Sequence, residues 1–347
     1  MKHLTASRFA VAVGVCVAIL ALAVLISPGI GSQPIGVVEA WRAWFAGDLD
    51  SVTYHIAFTL RMPRTLKALV AGATLALCGA VFQTLFRNPL ATPYTLGIAG
   101  GGSLGALIVM TAGWQAALLG ISSVSWGAFA GSGAVLLAIW LMARTSRRLG
   151  GNALLLAGVT IGFFCSALMM FVTHLANVYE TYQIVRWMMG SVESVGQVEI
   201  RALLVVLAPA WLVLLAQARA LNQYELGDEV SATRGVRTGL LQGLCLVVAS
   251  LAVAAVVSIC GPIGFVGLIV PHAVRLVLGG DHRVLLPASA LAGATFLIAC
   301  DWLTALLPAW YGQLVSREMS AATLPIGVVT AMVGAPLFLW ILRSRLR

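Results

Sequence analysis

Six long stretches of this sequence contain no Asp, Glu, Lys or Arg, and the longest has 56 residues. They cover residues 9–38, 68–86, 88–143, 149–179, 238–274 and 319–342. About 20 apolar residues form a helix that crosses the roughly 30 Å hydrocarbon core of a bilayer, so each stretch can hold one or two such helices. Only 10% of the residues are charged, against about 25% in an average soluble domain, which excludes a soluble globular fold.

The pattern within these stretches favours helices over a β-barrel, because the apolar residues run on without alternating. We predict an all-α polytopic membrane protein in which residues 1–347 form one domain with ten transmembrane helices. The 56-residue stretch must turn once, and Gly113 with Trp114 is the expected place. The first helix is expected to be retained, since no Ala-x-Ala cleavage site precedes Pro28. The expected spans are 9–27, 63–85, 93–112, 114–142, 152–173, 200–218, 239–260, 264–280, 284–307 and 324–343.

The charged residues predict the orientation of this bundle. With the amino terminus inside, 14 of the 21 Lys and Arg residues fall in inner segments with four acids, whereas seven basic and seven acidic residues balance outside. This distribution satisfies the positive-inside rule and predicts that both termini are cytoplasmic. Two outer segments, 28–60 and 174–199, contain Trp41, Trp44 and Trp187 and are expected to hold interfacial helices.

Small residues recur at four-residue spacing in three predicted helices and indicate close helix packing. We expect this packing within one subunit, with a homodimer seam as the alternative. The residues concerned are Gly97, Gly101 and Gly105, then Gly127 with Gly131, and Gly158 with Gly162.

The sequence gives no sign of chemistry carried out by this chain. The six cysteines are dispersed through apolar segments without metal-ligand spacing, so we interpret them as small buried side chains. A Gly-x-x-x-x-Gly-Lys-Ser/Thr motif is absent from the sequence, so any ATP hydrolysis must occur on another polypeptide. We expect no catalytic residue, no metal ligand and no cofactor on this chain, and no nucleic-acid partner.

Several motifs follow one another along the chain from Arg61 onward. They are Arg61-Met62-Pro63-Arg64-Thr65-Leu66, Gly79-Ala80-Val81-Phe82-Gln83, Arg87-Asn88-Pro89-Leu90-Ala91, Leu96-Gly97, Gly261-Pro262-Ile263-Gly264-Phe265-Val266-Gly267-Leu268-Ile269-Val270-Pro271-His272, Gly280-Asp281-His282-Arg283 and Leu324-Pro325-Ile326-Gly327. In this order they resemble the permease family that imports iron siderophores, haem and cobalamin, and the block that begins at Gly261 is highly specific.

This resemblance implies a type II ATP-binding-cassette importer permease in the bacterial inner membrane. The implied partners are a second permease copy or a paralogue, two cytoplasmic ATPase subunits that carry ATP and Mg²⁺, and an extracytoplasmic substrate-binding protein. The expected cargo is an iron siderophore or a related metal chelate, with cobalamin or haem as the alternative.

The resemblance also assigns three sites. The stretch 226–236 resembles the segment that docks on the ATPase, and Asp228, Glu229, Ala232 and Gly235 are its expected contacts; a solvated loop is the alternative. Asn88 and Leu90 are expected to form a cytoplasmic gate, with plain turn formation as the alternative. Arg61 and Arg64 are expected to bind carboxylates of the substrate-binding protein, although snorkelling or pairing with local acids would also explain them.

The sequence departs from the family pattern at one outer corner. Asp301 is the one acid within a predicted span and is a functional candidate by default. The family often places Arg four residues after this Asp and Glu before the Leu-Pro pair, where this chain has Ala305 and Thr323. Arg317, in a longer loop, is the expected substitute for docking.

Two histidines and two rival functions complete the predictions. His272 and His282 match family positions at a helix bend and a loop, so we interpret them as structural, although metal ligation is the alternative. An ion-coupled secondary transporter would need several ionisable groups in its spans, and only Asp301 qualifies. A membrane enzyme is less favoured still, because the spans lack clustered His, Asp or Glu.

Overall fold

A computed structural model describes residues 6–33, 35–145, 151–193, 197–315 and 324–345. A 3₁₀ turn covers Ser27–Gly29, a π-helix covers His55–Arg61, and two short strands, β1 (Ala117–Leu118) and β2 (Ile121–Ser122), pair antiparallel. The α-helices of the described residues are α1 (Ala6–Ile26), α2 (Val37–Ala46), α3 (Val52–Tyr54), α4 (Met62–Leu85), α5 (Ile98–Thr111), α6 (Ser123–Thr145), α7 (Gly151–Leu175), α8 (Val178–Met188), α9 (Gln197–Ala216), α10 (Ala218–Tyr224), α11 (Asp228–Thr233), α12 (Thr238–Cys260), α13 (Val266–Leu278), α14 (His282–Val315) and α15 (Ile326–Arg345).

Ten of these elements account for the predicted spans. In the described part of the chain, seven helical stretches are long and apolar enough to cross a membrane, and α5, α13 and α15 are shorter apolar helices. Each predicted span overlaps one of them. The predicted all-α polytopic membrane fold is therefore confirmed.

Helix α4 is the centre of the bundle. It packs against α9, α12, α13 and α14, and its residues are buried almost continuously from Lys67 to Leu85. Small residues permit this contact: a Cβ at Gly72 would overlap the carbonyl oxygen of Gly293, and one at Gly79 would overlap that of Gly267. The backbones of α4, α13 and α14 therefore touch, as the small-residue interfaces of membrane helices allow.

The predicted glycine spacing marks contacts inside this subunit. Gly101 meets the backbone of Gly131 and Gly105 meets that of Gly127, so α5 and α6 pack without intervening side chains. Gly97, just before the first residue of α5, lies against the backbone of Gly158 in α7. These contacts confirm the interpretation of the glycines as intrasubunit packing residues.

Two predicted helix starts are wrong. The third span was placed at 93, but α5 begins at Ile98, because Thr92 and Thr95 bond reciprocally through their hydroxyls and Gly97 has a φ of 72°. The fourth was placed at 114, but α6 begins at Ser123 after a two-residue hairpin turn in which Leu119 and Gly120 have positive φ. Such a turn is typical of tight β-hairpins.

Both predicted interfacial segments contain a short helix. In the first, α2 carries Trp41, which donates to the carbonyl of Leu25 at 2.8 Å, and Trp44, which is exposed. In the second, Asn177 and Glu180 form a capping box at the start of α8, an arrangement that fixes a helix start. The prediction of helices in both segments is confirmed.

Candidate functional site

Charged side chains cluster at the two ends of α4. The helix has 24 residues, so its ends are about 35 Å apart. At its first turns, the Arg64 cluster consists of Arg61, Arg64 and Lys67 of the α4 region with Asp301 and Thr304 of α14 and Glu199 of α9. Beyond its last turn, the Arg87 cluster consists of Thr84 and Arg87 with Asn222, Tyr224, Glu225 and Asp228 of α10 and α11, Arg275 of α13 and His282 of α14.

In the Arg64 cluster, two cations of α4 bind acids from helices far along the chain. The Arg64 Nε donates to the Asp301 Oδ1 at 2.6 Å, and its Nη2 donates to the Thr304 hydroxyl at 2.7 Å. The Lys67 ammonium donates to the Glu199 carboxylate and to the carbonyl of Glu193, both at 2.7 Å. Because the Lys67 and Asp301 side chains are only 3% and 9% exposed, removing one partner would leave a buried charge unpaired.

Arg61 holds the preceding loop. Its Nη1 donates to the carbonyl of Pro28 at 2.9 Å and its Nη2 to that of Gln33 at 2.6 Å. The guanidinium lies against the backbone of Gly31, where a Cβ would come within 2.6 Å of it. A cavity of about 350 Å³ opens beside Arg61, Arg64 and Asp301.

These contacts bear on the docking prediction. Asp301 has a basic partner although position 305 is alanine in this chain. That partner is Arg64, which is 237 residues away in the sequence. Arg64 is paired with an acid of its own chain, which is one of the alternatives given for it above. Docking of Arg61 and Arg64 on a partner stays a prediction, and Arg317 and Thr323 lie outside the described residues.

The predicted gate residues lie in the turn between α4 and α5. The Asn88 side chain accepts from the Leu90 amide at 2.9 Å, and the Asn88 carbonyl accepts from the Ala91 amide at 3.1 Å. Asn88 therefore holds the turn, and the Leu90 side chain is 51% exposed. The gate at Asn88 and Leu90 stays a prediction, since turn formation alone would give the same contacts. The chain leaves the helix here because Pro89 and Pro93 cannot continue it.

Arg87 begins this turn in an unusual conformation. Its φ is 45°, one of three positive values among the described non-glycine residues, and such a backbone costs on the order of 1–3 kcal/mol. Its Nη2 donates to the Asp228 carboxylate at 2.6 Å and to the Tyr224 carbonyl at 2.9 Å. The Arg87 and Asp228 side chains are 39% and 59% exposed, and such a pair contributes only about 0–1 kcal/mol. The backbone bonds that end α4 hold this conformation, because the Arg87 amide donates to the Thr84 carbonyl at 3.1 Å and the Asn88 amide to the Gln83 carbonyl at 3.0 Å, as in a Schellman motif.

The predicted coupling residues lie on and after α11. Asp228 and Glu229 occupy its first turn and are exposed, and Ala232 is exposed on the same helix. Gly235 follows with a φ of 83° in an exposed turn. Acids in the first turn are favoured by the positive end of the helix dipole. The segment thus forms a short helix at the surface rather than an irregular loop.

A buried network anchors α10 to the start of α14. The Asn222 side chain accepts from the His282 amide at 2.8 Å and donates to Asp281 at 2.8 Å, and the buried His282 ring lies 2.7 Å from Asn222 and 2.6 Å from the Thr84 hydroxyl. A hydrogen bond from Arg283 holds the pKa of Asp281 well below its usual range, and Asn222 adds to this effect. His282 is structural, as predicted.

A second ionic contact ties α10 to α13. The Arg275 Nη1 donates to the Glu225 carboxylate at 2.6 Å. No residue of this contact, and none of Lys67, Glu199, Asn222 and Tyr224, was predicted as a site residue. In sequence each is an ordinary polar residue at the edge of an apolar segment, and the only available signal was Arg87, which adjoins Asn88 in a recognised motif.

The described residues contain no group of three or more His, Cys, Asp or Glu side chains that could hold a metal ion. His272 is buried in α13, with its ring 6.2 Å from that of Phe338.

Comparison with known proteins matches residues 19–344 to the model of the FecCD transport family. The hemin transport system permease protein HmuU of Yersinia pestis is 37% identical over 333 residues, 93% of this chain and 94% of that protein. The vitamin B12 import system permease protein BtuC of Salmonella typhi is 37% identical over 310 residues, 89% of this chain and 90% of that protein. A solved inward-facing structure of an ABC transporter assigned to the metal-chelate type superposes with a TM-score of 0.80 at 27% identity, covering 96% of this chain and 99% of that one.

Proposed function

This chain belongs to the FecCD transport family and is a permease subunit of an ABC importer, and we propose that its cargo is a metal chelate such as an iron siderophore. The family match over residues 19–344 is the observation that carries the proposal. A haem or cobalamin cargo is the second candidate, favoured by the two relatives that import hemin and vitamin B12. The whole chain forms one permease domain. It catalyses no reaction of its own.

The power source is a separate ATPase that docks at α11. An exposed helix with Asp228 and Glu229 in its first turn, on a chain that is otherwise mostly apolar, offers a rigid and charged contact for a soluble partner. Two ATPases bind two permease copies, or this chain and a paralogue, and their closure moves the turn at Asn88 and Leu90. The cargo path then alternates between the two sides of the membrane.

The opposite end of α4 faces a substrate-binding protein. The cavity beside Arg61 and Arg64 is open to carboxylates, and a guanidinium has five N–H donors, more than its present contacts use. This assignment places the Arg64 cluster outside and the Arg87 cluster inside, with both termini in the cytoplasm.

Reconstitution tests the proposal. The permease is placed in liposomes with its cognate ATPase and binding protein, and uptake of a panel of iron siderophores, haem and cobalamin is measured with ATP inside. We expect ATP-dependent, vanadate-sensitive uptake of one class of chelate, and no uptake by the permease alone. Uptake driven by a proton or sodium gradient without the ATPase would instead establish a secondary transporter.

The docking assignment has its own variant. Glu229→Arg reverses an exposed charge on α11 and is expected to prevent copurification of the ATPase. Glu39→Arg is the matched control, because Glu39 is also an exposed acid in the first turn of a helix, α2, on the side of the Arg64 cluster; we expect it to leave ATPase recovery unchanged. Equal ATPase recovery with the wild-type chain and the Glu229 variant would contradict docking through that residue.

A further inference from the structure

Two hydrogen-bonded links join the turn after α4 to the junction of α10 and α11. Arg87 of the turn donates to the carbonyl of Tyr224 and to the carboxylate of Asp228. In the reverse direction, the Tyr224 hydroxyl donates to the carbonyl of Leu85 at 3.2 Å and accepts from Gln242 at 2.5 Å. The Arg87 guanidinium also lies 4.6 Å from the centre of the Tyr224 ring, within the range of a cation–π contact.

The other side of α10 is held by different helices. Asn222 bonds to the amide of His282 and to Asp281 at the start of α14, and Glu225 pairs with Arg275 of α13. Because Asn222 bonds to the amide and the ring of the fully buried His282, this end of the segment is held to α14. The Arg87 contact lies at the exposed end, where α11 begins, so a displacement of α11 would reach Arg87 first.

The position of Arg87 in the chain gives its side chain access to the turn. Arg87 closes α4 in a Schellman motif, where a positive φ is usual, and its side chain reaches out of this cap to Tyr224 and Asp228. Arg87 immediately precedes Asn88, whose side chain and carbonyl set the geometry of the turn through Leu90 and Ala91. A pull on the Arg87 side chain therefore acts on the turn directly.

We propose that Arg87 is a positioning residue that transmits displacement of α11 to the Asn88–Leu90 turn, and so couples ATP hydrolysis to opening of the cargo path. The inference rests on the proposed function, in which α11 docks the ATPase and the turn is the gate. It deepens that function by naming the physical link between the two. Tyr224 is the second half of the link, because its carbonyl accepts from Arg87 and its hydroxyl donates to the carbonyl of Leu85, the last residue of α4.

The principal test replaces Arg87 with glycine. Glycine adopts positive φ without strain, so Arg87→Gly removes the side chain and keeps the turn geometry. In liposomes with the ATPase and binding protein, we expect ATPase copurification and ATP hydrolysis to persist while uptake falls about tenfold, within the usual range of coupling between sites. The conservative variant Arg87→Lys keeps a positive charge beside Asp228, and we expect it to retain most of the uptake that Arg87→Gly loses.

A matched control comes from an ion pair between near neighbours at the start of α14, which joins no second helix. Arg283 pairs with Asp281, two residues away, at 2.6 Å, and Arg283→Gly is expected to leave the ratio of uptake to ATP hydrolysis unchanged. Unchanged uptake with Arg87→Gly would overturn the proposal. Loss of ATPase copurification with that variant would also overturn it, since Arg87 would then serve docking. If the wild-type chain recruits no ATPase, the proposed function fails, and this inference fails with it.

Discussion

The two ends of α4 carry similar chemistry in different surroundings. At the Arg64 cluster the Lys67 and Asp301 side chains are almost fully buried, whereas at the Arg87 cluster the Arg87 and Asp228 side chains are largely exposed. Breaking a buried pair costs about 3–5 kcal/mol, and breaking an exposed one about 0–1 kcal/mol. The first end is therefore suited to lock helices together, and the second to change partners during a transport cycle.

The largest expected effect comes from Glu199→Ala, which leaves the buried Lys67 ammonium with the Glu193 carbonyl as its described partner. We expect the free energy of unfolding to fall by about 3–5 kcal/mol, measured by denaturant titration in detergent. The double variant Lys67→Met with Glu199→Leu removes both charges and should recover most of the loss. A single variant as stable as the wild-type protein would show that the Arg64 cluster does not lock the bundle.

The next effect tests the helix that joins the two clusters. Gly79→Ala forces α4 away from the backbone of Gly267, and overpacking of this kind typically costs about 1–3 kcal/mol. We expect a lower unfolding temperature and weaker uptake, because both clusters move relative to α13.

Gly133→Ala is the control for this substitution. Among the described residues, a Cβ at Gly133 in α6 would meet no atom within 4 Å outside its own helix backbone, so the change should be neutral or slightly stabilising. Equal effects of the two substitutions would mean that α4 is not tightly packed against α13.

A smaller effect is expected in the buried part of the Arg87 cluster. Asn222→Ala removes the partner of the His282 amide and ring, and a buried donor left unsatisfied costs about 1–3 kcal/mol. Thermal unfolding measures this loss. Gln223→Leu is the control, because the buried Gln223 Oε1 has no hydrogen-bond partner in the described part of the chain, so its removal should leave stability unchanged or raise it.

The smallest effect is a pH dependence. Because Arg283 lowers the pKa of Asp281 in the folded protein, the ionised carboxylate stabilises the fold at pH values above about 4, its unfolded pKa. This contribution is lost as the pH falls further. The difference in stability between the wild-type chain and Asp281→Asn should be constant from pH 8 to about 5 and shrink below about pH 4. A difference that grows on acidification would contradict the assignment.

The sequence predicts the helical bundle well because its signals are local. Uncharged runs locate the membrane spans, and the tryptophans near residues 41 and 187 locate α2 and α8. The pairing of Arg64 with Asp301 is not local: it joins residues 237 apart and depends on how α4 packs on α14. The contacts of Arg87 with Tyr224 and Asp228 also join residues that are distant in the sequence, so the sequence alone did not predict them.

The hairpin before α6 was missed for a different reason. Leu119 and Gly120 form its turn inside a stretch without charges, so apolarity alone extended the predicted helix through it. A leucine with positive φ is not signalled by residue type, because only glycine and, to a lesser extent, asparagine and aspartate favour that region.

The most direct test of the account is the side of the membrane on which each cluster lies. Two exposed residues are suitable for cysteine labelling. Ala232 lies on α11 near the Arg87 cluster, and Asp48 follows α2 on the side of the Arg64 cluster. With a membrane-impermeant maleimide, we expect Asp48→Cys to react in intact spheroplasts and Ala232→Cys to react only in inside-out vesicles, with protection by the bound ATPase. Labelling of Ala232→Cys from outside the cell would contradict the account, because the surface assigned to ATPase docking would then face away from the cytoplasm.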